Sequence, residues 1–175
     1  MKEKDNKRKP MGMTILIYDQ DITLSDSIKE KYDRVIYADG RYAPYQGCFK
    51  CWTKNPATCV MTDSLHEMCR ILGQADDLVI VTENWYGGYS AAVKNLLDRS
   101  IGLSTPMSTY RGKQMHHTLR YGKHESLKIY VTGDVNDREK ETWKLMAQRN
   151  AINWGYSAYE VRFTDYLNDM EETGL

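Results

Sequence analysis

Neither sign of charge is in surplus in this sequence: 24 lysines and arginines balance 24 aspartates and glutamates. A nucleic-acid binder draws its affinity from many cationic contacts to phosphate, so that class is set aside. No apolar run approaches the roughly 20 residues that cross a bilayer. Met1 to Pro10 is charged and is followed by no apolar segment of signal-peptide type. The expectation is therefore a cytoplasmic protein with no nucleic-acid and no membrane partner. Residues 1–10, with Lys7, Arg8 and Lys9, read as a disordered basic tail. Phenylalanine is scarce, at two residues against 13 tyrosines, so most aromatic surface carries a polar end suited to a core rim or a site wall. Repeats and low-complexity tracts are missing as well. Without a secretion signal, the four cysteines Cys48, Cys51, Cys59 and Cys69 read as thiols or metal ligands rather than a disulfide framework.

What is present is an alternation of strands and helices. At 175 residues, 41% hydrophobic and 27% charged, the chain fits one domain over 11–175. Thr14–Tyr18 and Arg34–Ala38 read as strands, with a short weak helix over Leu24–Tyr32 between them. Gly40–Thr58 is a loop rich in Gly, Pro and Cys. Ser64 and Glu67 have capping-box spacing, and Leu65, Met68, Cys69 and Leu72 then follow one helical face. Asp77–Thr82 is a continuous apolar strand, as in a sheet covered on both faces. The loop Glu83–Tyr89 leads into a helix from Ser90. Leu127–Thr132 is a strand. Asn136 and Glu139 cap a helix carrying Trp143, Met146 and Ala147 that stops near Gly155, and Ala158–Phe163 is the last strand. This order predicts a flavodoxin-like, doubly wound α/β fold: five parallel strands ordered 2-1-3-4-5, helices on both faces. Ligands of such sheets bind at the switch point between the first and third strands, so the loops at Asp19–Ser27, Glu83–Ser90 and Gly133–Asn136 should meet. Ser100–Ser126 is a long polar and aromatic connection, the kind that serves function or an interface.

Gly47–Asp63 (GCFKCWTKNPATCVMTD) and Thr82–Arg99 (TENWYGGYSAAVKNLLDR) resemble the flavodoxin-like NAD(P)H-dependent FMN reductase family. Gln114–Tyr121 (QMHHTLRY) resembles a stretch found in a subgroup of it. The resemblance implies FMN at the strand ends, reduced by NAD(P)H as a transient co-substrate and reoxidised by a quinone, flavin or similar acceptor. It implies that Thr82, Trp85, Tyr86, Gly87, Gly88 and Ser90 contact the ring. The physics agrees: glycines admit close backbone approach and aromatic rings stack. Thr23 and Ser25 are the phosphate candidates. Hydride transfer to a flavin needs no protein acid or base in its first step, so no catalytic residue is expected. The resemblance also implies a homodimer or higher homo-oligomer, with Ser100–Ser126 as candidate interface.

The sequence departs from the family at two places. Glu83 stands where members usually have proline, and a carboxylate there opposes an anionic reduced ring. The loop after the first strand, Asp19–Ser27, offers the hydroxyls of Thr23, Ser25 and Ser27 but no glycine, no cation and three carboxylates, unlike a phosphate-binding loop. Arg111, Lys113 and Arg120 are the substitute cations the sequence offers. An alternative reading is a flavodoxin-like electron carrier without turnover, or a cofactor-free interaction protein. Cys48 and Cys51 form a C-x-x-C, for which a redox pair, a cluster with Cys59 and plain packed thiols are alternatives; no metal is assigned. Of the adjacent His116 and His117, at most one can face a site.

Overall fold

Five parallel strands form the main sheet in the order β2-β1-β3-β6-β7. The computed structural model describes residues 12–19 and 22–164, and the expected tail, 1–10, lies outside them. The strands are β1 (Met13–Asp19), β2 (Arg34–Ala38), β3 (Ala75–Glu83), β6 (His124–Thr132) and β7 (Tyr156–Phe163). The 2-1-3-4-5 winding is thus the one observed, counted over the main sheet alone. Alternation along each strand splits the core in two. Ile15, Ile17, Leu78, Ile80, Leu127 and Ile129 pack on one face with residues of α2 (Met68–Leu72), α3 (Ala91–Arg99) and α4 (Asp137–Trp154). Leu16, Val79, Val81 and Tyr130 pack on the other with Leu24 and with Ile28 of α1 (Asp26–Lys29).

The caps decide where helices begin. Ser90 caps α3 and accepts the Val93 amide, and Asn136 with Glu139 closes a full capping box on α4, as the spacing predicts. The Ser64/Glu67 box does not form. Asp63 takes the Leu65 and Ala43 amides on its two carboxylate oxygens at 3.1 and 3.0 Å, and α2 starts later, at Met68. The helix expected over Leu24–Tyr32 is a single turn, Asp26–Lys29.

The connection after α3 is not a loop. It forms an antiparallel hairpin, β4 (Ser104–Arg111) and β5 (Gln114–Leu119), closed at Gly112. The hairpin lies against the carboxyl end of α4: His116 Nδ1 is 3.0 Å from Asn153 Oδ1, and Arg149 bonds Gln114 at 2.7 Å.

Candidate functional site at the carboxyl strand ends

β1 and β3 end side by side, and a buried carboxylate joins them. Asp19 Oδ2 accepts the Thr82 hydroxyl at 3.3 Å and the Glu83 amide at 3.2 Å. Thr82 Oγ1 in turn accepts the Ser90 amide at 3.1 Å. Asp19, Thr82 and Ser90 are all buried. Thr82 and Ser90 therefore hold the start of α3 against the sheet, and their hydroxyls are engaged inside the protein.

Beyond Glu83 the chain makes a tight turn. Trp85 and Gly88 exchange both backbone hydrogen bonds at 2.9 Å, with Tyr86 and Gly87 at φ +52° and +80° between them. Two successive left-handed residues make a type I′ turn, which normally takes Asn-Gly or Gly-Gly. A tyrosine at its first position is strained, and its ring is 95% exposed. Gly87 meets a second demand: a Cβ there would come within 3.3 Å of Thr142 Cβ on α4. At Gly88 a Cβ would meet only the Trp85 carbonyl, at 3.5 Å.

Asn84 fixes this turn to the rest of the fold. Its Oδ1 accepts the Gly87 amide at 3.1 Å and Trp143 Nε1 at 2.8 Å. Its Nδ2 donates to the Asp134 carbonyl at 2.7 Å and to Glu139 Oε2 at 3.1 Å. All four hydrogen-bonding positions of the amide are filled. The loops after β3 and β6 thus meet through Asn84, as those after β1 and β3 meet through Asp19. Glu83 turns its carboxylate to the Trp85 indole N–H at 3.0 Å, which orients that half-exposed ring. A cleft of about 380 Å³ opens here, bordered by Asn84, Trp85, Tyr86, Asp134 and Glu139. Behind it, burial pushes the Tyr89 hydroxyl up, so it stays protonated against Asn150 and packs edge-on to Trp143.

Thr23 and Ser25 lie across the switch point on the exposed entry to α1. Ser25 Oγ caps that turn through the Ile28 amide and lies 2.9 Å from Ser27 Oγ. The substitute cations are elsewhere. Arg111 binds the Ile152 and His117 carbonyls, and Arg120 binds the Gly102 carbonyl at 2.9 Å. Arg111 meets α4 at Ile152, about 20 Å along the helix from Glu139 at the cleft. Held there, Arg111 does not reach the switch point within one chain. His117 lies on Trp52 with ring centroids 4.6 Å apart, so neither histidine reaches the cleft. Cys48, Cys51 and Cys59 border one small pocket near the carboxyl end of α3. Among the described residues no group of three or more His, Cys, Asp or Glu is arranged to hold a metal ion.

Two exposed aromatic faces beside an open cleft, on a loop fixed by its own hydrogen bonds, fit the ring of a flavin. For a phosphate the described residues of the first loop supply hydroxyls. Sequence reasoning missed Asn84 and Asp19, because each acts through partners distant in the chain; the one local signal was that both stand at the end of an apolar strand.

The sequence profile described as NADPH-dependent FMN reductase matches residues 12–118, more than half of the chain. An iron–sulfur flavoprotein of Methanocaldococcus jannaschii is 27% identical over 92 residues, 53% of this chain and 47% of that protein. The chain thus matches about half the length of this curated relative. An NAD(P)H:quinone oxidoreductase from Methanothermobacter marburgensis shares the fold at a TM-score of 0.52 and 12% identity, covering 92% of each chain. An azoreductase from Bacillus anthracis does so at 0.56 and 11% identity, covering 91% of this chain and 90% of that one. With the fold, the switch-point loops and the profile in agreement, this chain belongs to the NADPH-dependent FMN reductase family, whose cofactor is FMN.

Proposed function

We infer that the protein is an NAD(P)H-dependent flavin oxidoreductase that passes electrons to a quinone, a free flavin or a similar flat acceptor. The observation that carries this reading is the pair of exposed rings, Trp85 and Tyr86, on a strained turn at the end of β3. FMN, when bound, supplies the hydride-accepting ring. The chain's own residues bind and orient. Trp85 and Tyr86 stack against flat surfaces, with Glu83 fixing the indole. Asn84 and Gly87 hold the turn against α4. Thr23 and Ser25 offer hydroxyls to the phosphate. Thr82 and Ser90 support the loop from below rather than touching the ring. No residue is assigned a proton-transfer role.

No helix among the described residues is long and apolar enough to cross a membrane. Self-association is part of the reading. Met107, Tyr110 and Met115 stand 69%, 74% and 66% exposed on the hairpin and form the candidate contact. Mass measurement of the triple serine variant tests this: a monomer is expected, and an unchanged oligomer removes the hairpin from the interface. The function itself is tested by NADPH oxidation with FMN-loaded protein and a quinone. Turnover that falls in Trp85→Leu and Tyr86→Gly supports the reading. Binding of FMN without NADPH oxidation leaves an electron carrier instead.

A further inference from the structure

The sequence places Cys48 and Cys51 in a C-x-x-C, yet Cys51 is matched with a different thiol. Cys51 and Cys69 are both buried, whereas Cys48 is exposed. The Cys69 thiol donates to the Arg99 carbonyl at 3.6 Å, which leaves its sulfur lone pairs free toward Cys51. Gly102 shows how tightly they sit: a Cβ built on it would lie 2.8 Å from Cys69 Sγ and 3.3 Å from Cys51 Cβ. Those two atoms are therefore at most 6.1 Å apart, the sum of the two distances. Only a residue without a side chain leaves room for the pair.

Cys51 also borders the small pocket described above, with Tyr45, Cys48, Cys59 and Arg99 around it. Its volume is about 20 Å³. At roughly 10–15 Å³ per water, it admits a molecule of one to two waters' size. Two of its bordering residues carry fully buried polar atoms without a partner among the described residues, the Tyr45 hydroxyl and Arg99 Nε. The Arg99 side chain is 1% exposed, and its other nitrogens bind Asp63, the Ala43 carbonyl and Cys59 Sγ. An O–H and an N–H thus await an oxygen ligand beside a sulfur.

We propose that Cys51 and Cys69 form an oxidisable thiol pair, with this pocket admitting a small hydroperoxide to Cys51. The Cys51 sulfur attacks one peroxide oxygen; the S–O bond forms as the O–O bond breaks, and the departing oxygen leaves as water or alcohol with the thiol proton. The Cys69 sulfur then attacks Cys51; the S–S bond forms as the S–O bond breaks, and the oxygen leaves as water with the Cys69 proton. Two electrons pass from the thiols to the peroxide. The neighbouring Cys69 thiol, with help from Arg120, draws the Cys51 thiol below its ordinary value, which favours the attacking thiolate. The nearby Cys51 and burial push Cys69 up, so it keeps the proton needed in the second step. Burial also pushes Tyr45 up and keeps it a donor.

The site lies at the carboxyl end of α3, one helix away from the flavin loop, and does not depend on the flavin reading. The test is peptide mapping after hydrogen peroxide treatment without NADPH, followed by alkylation. The expected product is a Cys51–Cys69 disulfide, formed equally in Cys48→Ser, while a bulky aromatic disulfide reagent modifies the exposed Cys48 and spares the buried Cys51 and Cys69. In Cys69→Ser, Cys51 should persist as a sulfenic acid trapped by dimedone. A Cys48–Cys51 or Cys51–Cys59 linkage, or Cys51 and Cys69 both alkylated after peroxide, would overturn the proposal. The wild-type and Cys48→Ser maps decide it even if the buried variant does not fold.

Discussion

Trp143 Nε1 donates to Asn84 Oδ1 at 2.8 Å, so a fully buried ring of α4 holds the loop that borders the cleft. Core packing and site geometry share one hydrogen bond. Asn84→Ala leaves the indole N–H buried without an acceptor and frees the Gly87 amide. A loss of about 2 kcal/mol is expected, read as a lower urea midpoint. FMN affinity should fall with it. Asn84→Asp keeps the acceptor but places a carboxylate beside Glu139, so it should rescue neither property.

Gly87 and Gly88 look alike in sequence and differ in the fold. Gly87→Ala forces a side chain into φ +80° and against Thr142, and should cost about 1–2 kcal/mol. Gly88→Ala meets ordinary contact and should cost less than about 0.5 kcal/mol. Equal losses in thermal denaturation of the two variants would refute the assigned turn.

Tyr86 is held in a left-handed backbone and almost wholly exposed, so stability and function should separate there. Tyr86→Gly removes strain and should gain up to about 1 kcal/mol of stability. It removes a stacking face worth about 0.5–1.5 kcal/mol, so flavin affinity should fall up to about tenfold. A variant that is less stable and binds equally well would reverse the assignment.

The Arg99–Asp63 pair sets an acid limit. The guanidinium holds the Asp63 carboxyl below its usual range. A carboxylate with a depressed folded value contributes stability above its unfolded value, about 3.9, and loses it as pH falls toward the lower folded value. Asp63→Asn leaves a buried cation unpaired and should cost about 3 kcal/mol at neutral pH. Its stability should then depend less on pH below about 4. Denaturant melts across that range check both the size and the sign.

Much of the fold was legible because the information was local. Asp77–Thr82 reads as a buried strand from its apolar run alone, and Asn136 with Glu139 caps α4 as their spacing says. The Ser64 box did not form: the Glu67 carboxylate pairs with Arg70 and His66, and Glu67 itself stands at the helix start. The hairpin was read as a loop because both of its faces are largely exposed and Met107–Arg111 shows no apolar alternation. At the site, the aromatic turn was readable and its support was not. Asp19 and Asn84 find their partners across 63 and 59 residues of chain, and no spacing rule reaches that far.

We propose that the loops at the switch point hold FMN. FMN titration of the 175-residue protein, read by tryptophan fluorescence in wild type and Trp85→Leu, tests this. One-to-one binding, with most of the quenching lost in the variant, is the predicted result. No binding at tens of micromolar FMN, an affinity weaker than roughly 6 kcal/mol, would contradict it and leave a fold that has kept its aromatic turn without the cofactor.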